Sequence, residues 1–191
     1  MGKRFASMEA PHQEFIQRQR IFFTASAARD GRVNVSPKDG AALRIVHSQR
    51  VAYLDVTGSG NETAAHLRAD GRLTLMFCAF EGAPVILRLY GRGRVLRRGS
   101  AEYGELLTAV FESQERPGAR QIIVLDVETV QTSCGFGVPL FSYVGERTNL
   151  DQWAANKGES GLQEYWQAKN STSLDGLRTG ILEPEDEAVS P

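Results

Sequence analysis

Two long strand patterns lie back to back in this chain, and they limit its architecture more than any other feature. Arg72-Leu-Thr-Leu-Met-Phe-Cys-Ala-Phe80 reads as a buried strand. The turn residues Glu81-Gly-Ala-Pro84 follow, and Val85-Ile-Leu-Arg-Leu-Tyr-Gly-Arg-Gly-Arg-Val-Leu96 reads as a second long strand. Strands joined by so short a connection pair antiparallel. Gly91 and Gly93 interrupt the second one. A glycine inside a strand marks a bulge or bend, as at a barrel corner.

Further strand patterns surround this pair. Ile21–Ala28 is followed by Asp30-Gly31, a hairpin-turn signal, and by the alternating return segment Arg32–Ser36. Pro37 then stops the ladder or marks a sheet edge. Ala42–Val46, Val51–Val56 and Arg120–Val130 complete the set. Helices are predicted over 11–20, with Pro11 at the first helical position and Phe15 and Ile16 on the apolar side. Others are predicted over 60–69, from a Ser100 cap to about Glu115, and over 150–156 and 161–169. Trp153, Leu162, Tyr165 and Trp166 are the apolar anchors of the last two. Six or seven strands with few, short helices make a mainly β protein, an antiparallel barrel rather than an alternating α/β sheet. The expected division is a barrel domain over 10–147, a helical and loop extension over 148–180 packing on the barrel or dimer, and a disordered acidic tail over 181–191.

Bulk composition narrows the partners. At 191 residues the chain suits one domain with an appended tail. Its 22 Lys and Arg nearly cancel 23 Asp and Glu, which gives no electrostatic case for nucleic acid or an anionic membrane. No apolar run approaches a membrane span, and the N-terminus lacks the apolar run of a secretory signal. Two cysteines and three histidines without a CxxC argue against a structural zinc and a disulfide framework. Cys78 reads as a buried thiol, and the expected compartment is the reducing cytoplasm.

The stretch Val56-Thr-Gly-Ser-Gly-Asn-Glu-Thr-Ala-Ala-His-Leu67 carries the sharpest chemical signal. A strand turns through small residues into a helix, with Ser59 as cap and Glu62 three residues on, the spacing of a capping box. Unpaired N–H groups and the helix dipole make such a start a ready anion site. A well-capped surface helix reads the same way. Elsewhere no triad or paired-carboxylate pattern stands out. Asp55 and Asp126 lie in strands that nothing brings together, and His66 reads as a surface or satisfied helix residue rather than a base. Cys134, among glycines, is the better redox candidate of the two thiols. Phe136, Phe141 and Tyr143 suit stacking on a ring, plugging the barrel end, or a dimer interface.

The order of elements, with Arg32-Val-Asn-Val-Ser-Pro-Lys38, Val51-Ala-Tyr-Leu-Asp-Val-Thr57, Arg72-Leu-Thr-Leu-Met-Phe77 and Leu87-Arg-Leu-Tyr-Gly-Arg-Gly-Arg-Val95, resembles the pyridoxamine 5′-phosphate oxidase-like family of FMN-binding split barrels over residues 10–130. The block Thr132-Ser-Cys-Gly-Phe-Gly-Val-Pro139 looks like a feature of a bacterial subgroup distinct from the oxidase itself. The resemblance implies a six- to seven-stranded split barrel with flanking short helices, and a homodimer with FMN sites across the subunit interface. It places Asn34, Val35, Ser36 and Lys38 along the flavin, Val56 and Thr57 beside the ribityl-phosphate, Asn61, Glu62 and Thr63 at the phosphate, and Ile86 and Arg88 toward the ring. Glu62-Thr63 stands where the oxidase carries Arg-Lys, and a carboxylate there repels a phosphate. The implied remedy is that Glu62 folds back in the capping box while Lys38 or Arg88 supplies charge. The oxidase's C-terminal substrate pattern is replaced by Asn170-Ser-Thr-Ser-Leu-Asp-Gly-Leu177, which argues against pyridoxamine phosphate as substrate. The implied activity is a flavin-dependent oxidation or reduction of an unassigned small molecule, since the flavin carries the reactive chemistry. A split barrel binding deazaflavin or haem, and a flavin carrier or sensor without catalysis, are the other classes the resemblance allows.

Overall fold

The computed structural model describes residues 2–183; the tail read as acidic and disordered lies outside the described residues from 184 onward. Eight strands run in chain order as β1 (Lys3–Phe5), β2 (Ile21–Ser26), β3 (Asn34–Asp39), β4 (Leu43–His47), β5 (Arg50–Val56), β6 (Arg72–Cys78), β7 (Val85–Arg97) and β8 (Ala119–Cys134). Four α-helices accompany them: α1 (Ala10–Gln17), α2 (Glu62–Ala69), α3 (Ala101–Phe111) and α4 (Asn149–Tyr165). The sheet order is β3-β2-β6-β7-β8-β5-β4, antiparallel throughout, with the short β1 added on β8. The sheet curls around one apolar core that joins Phe22, Leu75, Phe77, Leu89, Tyr53 and Ile123. Its two end strands, β3 and β4, do not pair, so the barrel is split.

The long β6–β7 hairpin forms as the sequence requires, and the glycines explain its bend. Tyr90 pairs with Thr129 but Gly91 with Val127, so Glu128 is skipped in a bulge. A Cβ on Gly91 would overlap the Asp126 carbonyl oxygen, so only glycine allows this approach of β7 to β8. Pro37 sits within β3, the sheet edge that a missing donor predicts. A second apolar cluster, with Leu54, Leu96, Ile122 and Val124, packs the outer face of the β5–β8 region against α3. Ser100 caps α3 by accepting from the Tyr103 N–H.

Several expectations are corrected. Asp30-Gly31 is not a tight hairpin turn; it lies in a loop over 27–33, and the return strand starts at Asn34 because the Arg32 N–H is held by Asp175. Ser59 and Glu62 form no capping box: α2 begins at Glu62 with Asn61 at its cap position. The two expected C-terminal helical stretches are, by contrast, both present: Gly158, at φ 64° and ψ 175°, breaks α4 between them, and a π turn over Trp166–Asn170 continues the second. The final core strand runs past the expected end at Val130, on to Cys134.

Candidate functional site

The site is best built from the split outward. On the inner face of β3, Asn34, Ser36 and Lys38 stand directly opposite Ser26, Thr24 and Phe22 of β2. Opposed residues of an antiparallel pair share a face. Ser36 Oγ donates to Asn34 Oδ1 at 3.3 Å, and Asn34 Nδ2 donates to Thr63 Oγ1 on α2, also at 3.3 Å. Lys38 Nζ crosses the gap to β5 and donates to Asp55 Oδ1 at 2.6 Å. A polar ladder, with a cation at one end, therefore lines the split. Beside it the buried hydroxyls of Thr24 and Tyr53 lie near each other and near Thr63 but make no well-aligned hydrogen bond among the described residues. A polar group reaching them would remove a desolvation cost.

Asp55 anchors the closed end of this ladder. The side chains of Asp55 and Arg120 are each 3% exposed. Arg120 Nε donates to Asp55 Oδ2 at 2.9 Å and Gln121 Nε2 to the same oxygen at 2.8 Å. Burial pushes the Asp55 carboxyl up, but the Arg120 and Lys38 charges and the hydrogen bonds outweigh it and hold the group well below the usual carboxylate range. Tyr53 is held neutral for the opposite reason: burial first, then the Asp55 charge, push its phenol up. A bulge between Asp55 and Val56 brings Arg120 within reach of Asp55, although Arg120 and Gln121 are neighbours in one strand.

The C-terminal segment closes over the start of α2. Asn170 is completely buried, and its Oδ1 accepts from Arg120 Nη1 at 2.8 Å. Its Nδ2 donates to the Gly58 carbonyl at 3.1 Å, and its own carbonyl accepts from Thr179 Oγ1 at 2.6 Å. Asn61 Oδ1 accepts from Gln121 Nε2 at 2.7 Å. Glu62 accepts from the Leu174 N–H at 3.0 Å, so its carboxylate holds the C-terminal loop rather than its own helix cap. Thr57 Oγ1 donates to the Gly118 carbonyl and accepts from Trp166 Nε1 at 2.7 Å. Val56 is half-buried beside it.

The expected residues therefore divide. Asn34, Ser36, Lys38 and Thr63 converge on the split. Thr57, Asn61 and Glu62 bind the chain's own C-terminal segment. Val35 is exposed on the other face of β3. Ile86 and Arg88 do share one face, but it is the outer one, opposite to the ladder: Arg88 pairs with Met76, and Met76 with Phe23. Arg88 Nη1 donates to Ser133 Oγ at 3.3 Å. His66 is buried with Nδ1 3.1 Å from Ser26 Oγ, a satisfied histidine as expected. Phe136, Phe141 and Tyr143 are exposed and do not plug the barrel.

Asp55, Arg120, Gln121 and Asn170 are the residues that sequence reasoning left out. The signal available was a carboxylate inside Val51–Val56 and two polar residues opening the apolar strand Arg120–Val130. Polar groups in fully apolar strands are buried with partners. The described residues hold no cluster of metal-ligating side chains, and none of their helices is long and apolar enough to cross a membrane.

An FMN molecule can be tested against this arrangement. The ladder and the two poorly paired hydroxyls suit its polar ribityl chain, and Lys38 supplies a cation at the split. The start of α2 offers no open phosphate seat, because Asn170 and the loop at Leu174 cover it.

Comparison with known proteins agrees with the fold. The sequence pattern of the pyridoxamine 5′-phosphate oxidase family matches residues 8–134. The pyridoxamine 5′-phosphate oxidase family protein ustO of Aspergillus flavus is 38% identical, over 91% of this chain and 76% of its own length. Among solved structures, HupZ of Group A Streptococcus superposes with a TM-score of 0.55 at 16% identity, covering 66% of this chain and 99% of that one. A candidate pyridoxamine 5′-phosphate oxidase of Lactobacillus delbrueckii superposes with a TM-score of 0.51 at 15% identity, covering 66% and 94%. A split barrel with this strand order, together with a family match over most of the chain, establishes that the protein belongs to the pyridoxamine 5′-phosphate oxidase family.

Proposed function

We propose that this chain is an FMN-binding homodimer that oxidises or reduces a small molecule, with each flavin in the split between β3 and the β4–β5 end of the sheet and close to the subunit interface. The observation that carries this reading is the polar ladder of Asn34, Ser36 and Lys38 on the edge strand β3, joined to Thr63 of α2 and next to the buried, poorly paired hydroxyls of Thr24 and Tyr53. An edge strand also leaves backbone N–H and C=O groups free for a ligand. When bound, the flavin supplies the electron-transfer chemistry. Asn34, Ser36 and Thr63 would orient its polar chain, and Lys38 would meet its charge. Asp55 holds the Lys38 ammonium in the split. The phosphate seat differs from the one that the family resemblance implies, because α2 is covered. A C-terminal segment that binds the chain itself supports a substrate other than pyridoxamine phosphate.

The test is direct. Protein as purified should show a flavin absorbance band, or the apoprotein should take up FMN one per chain on titration, and a nicotinamide donor should bleach it. Lys38→Met should weaken FMN at least tenfold while Arg88→Met leaves it within a factor of about three, each tenfold being about 1.4 kcal/mol. Absence of FMN both as purified and after saturating reconstitution would overturn the reading.

A further inference from the structure

A cavity of about 350 Å³ opens where the end of α1 meets the corner between β3 and β4. It has the size of a small-molecule site. Ile16, Leu43 and Ile45 form its apolar wall, and Arg20, Arg44 and Glu146 bring charge to it. None of them belongs to the polar ladder in the split.

Local structure fixes the shape of this cavity. The chain turns at Gly40, whose N–H donates to the Arg20 carbonyl at 2.9 Å. A Cβ on Gly40 would overlap the Gln19 carbonyl oxygen, so only glycine lets the corner lie this close to the segment after α1. Asp39 clamps the same corner. Its Oδ1 accepts from the Ala41 N–H at 2.9 Å, and its Oδ2 accepts from Arg116 Nη1 at 2.6 Å. Ile16 and Leu43 belong to the barrel core, which anchors the apolar wall. A cavity held in this way spares a ligand the cost of ordering its walls.

The two guanidiniums have no carboxylate partner among the described residues. Arg44 is nonetheless fixed. Its Nη1 donates to the carbonyls of Ala41 at 2.8 Å and Leu43 at 2.9 Å, and the group lies 5.4 Å from the centroid of the Phe111 ring. Those two bonds use both Nη1 hydrogens. The N–H groups on Nε and Nη2 stay free, and that edge is the fork that takes a carboxylate through two parallel bonds. Arg20 stands over the Tyr143 ring, 4.9 Å from its centroid. Stacking uses the face of a guanidinium and leaves its N–H edge for an anion. The Tyr143 hydroxyl donates to Glu146 Oε1 at 2.6 Å, which keeps that carboxylate at the rim. Two cations and one carboxylate leave the cavity one net positive charge.

We infer that this cavity binds a small monocarboxylate with an apolar body, such as a short-chain fatty acid. Arg20 and Arg44 take the carboxylate, and the tail lies along Ile16, Leu43 and Ile45. The charge balance fits a single negative charge. A phosphate dianion meets repulsion from Glu146 and leaves the apolar wall bare. The site goes beyond the flavin reading and does not depend on it.

The experiment uses the full chain. Hexanoate is titrated by calorimetry, and backbone amide shifts of Gln17, Gly40 and Ala41 are followed in parallel. A Kd of roughly 10 μM to 1 mM is expected for a ligand of this size. Butanoate should bind at least about tenfold more weakly, since each buried methylene contributes roughly fourfold. The neutral hexanamide should also lose at least about tenfold, because it brings no charge to the guanidiniums. Arg20→Gln should weaken hexanoate by about tenfold or more with far-UV circular dichroism unchanged, since Arg20 is exposed. Arg44→Gln should weaken it as much. Glu146→Gln should tighten it about threefold, because a like charge is removed from the rim. Acetyl-Gly-Leu tests the source of the carboxylate: tighter binding than hexanoate assigns it to a peptide end, and weaker binding to a free acid. All titrations are repeated with FMN present. Equal affinities keep the site apart from the flavin, so failure of the flavin reading would leave it standing. No binding of hexanoate at about 10 mM, hexanamide or inorganic phosphate as tight as hexanoate, indifference to Arg20→Gln, or competition with FMN overturns the inference.

Discussion

Replacing Arg120 by Met is the most searching perturbation of the closed end of the split. The guanidinium makes three hydrogen bonds: to Asp55 Oδ2, to the Gly60 carbonyl at 3.0 Å and to Asn170 Oδ1. Removing one partner of a buried ion pair costs about 3–5 kcal/mol, because the other charge is left behind. Lys38 and Gln121 still reach Asp55, so the lower end, about 3 kcal/mol, is expected. With a urea slope of roughly 1–3 kcal/mol per molar, the midpoint should fall by roughly 1–3 M. The loss should also depend on pH. The Asp55 carboxyl titrates below its unfolded value of about 3.9, so its contribution to stability is present above pH 4 and is lost as pH falls below that. Without Arg120 the folded carboxyl titrates higher, so the gap between wild type and variant should narrow from pH 6 toward pH 3. The double variant Asp55→Asn/Arg120→Met should be destabilised by clearly less than the sum of the singles, since the two groups share one interaction. A loss under about 1 kcal/mol, a gap constant with pH, or additive singles would refute the reasoning.

Other consequences are open to simple tests. Gly91→Ala should cost at least about 2 kcal/mol by urea unfolding, because the new methyl meets the Asp126 backbone, which cannot rotate away. Glu62→Gln should weaken the hold on the C-terminal loop, and limited proteolysis should cut near 172–178 faster while the urea midpoint barely moves. A cleavage rate equal to wild type would count against the role given to Glu62. In native protein a thiol reagent should modify Cys134 quickly and Cys78 slowly. Cys134 is exposed, whereas burial pushes the Cys78 thiol up against the opposing Arg88 charge. Denaturant should equalise the two rates, and two fast equivalents in the native state would contradict the burial.

Local rules carried most of the fold. Alternation, the β6–β7 turn and the strand glycines are properties of a few adjacent residues, and the sheet kept each of them. Pro37 marked an edge because a missing N–H is a local fact with a topological consequence. The errors fall where a distant partner overrides a local preference. Asp30-Gly31 has the chemistry of a tight turn, but Asp175, more than 140 residues on, captures the Arg32 N–H and holds the loop open. Where no distant partner competes the local reading holds: Gly158, at φ 64°, separates the two helical stretches of α4.

The candidate site shows the same division more sharply. Ser59 and Glu62 had the spacing of a capping box, worth about 1 kcal/mol when formed. Glu62 instead accepts from Leu174, and Asn170 meets Arg120 and Gly58. A single long-range network that satisfies a buried guanidinium, a buried amide and a helix start together outweighs one local cap, since each unsatisfied buried group would cost about 1–3 kcal/mol. No spacing rule reaches across more than 100 residues, so the network was invisible as a whole. Its members were not invisible one by one: Asp55, Arg120 and Gln121 interrupt apolar strands, and a charge buried there requires a partner of opposite sign. Pairing such interruptions across predicted strand neighbours would have joined Asp55 to Gln121 and Arg120. The same pairing points to an anion in the split beside Lys38, where the ladder of Asn34 and Ser36 stays partly exposed, rather than at the start of α2.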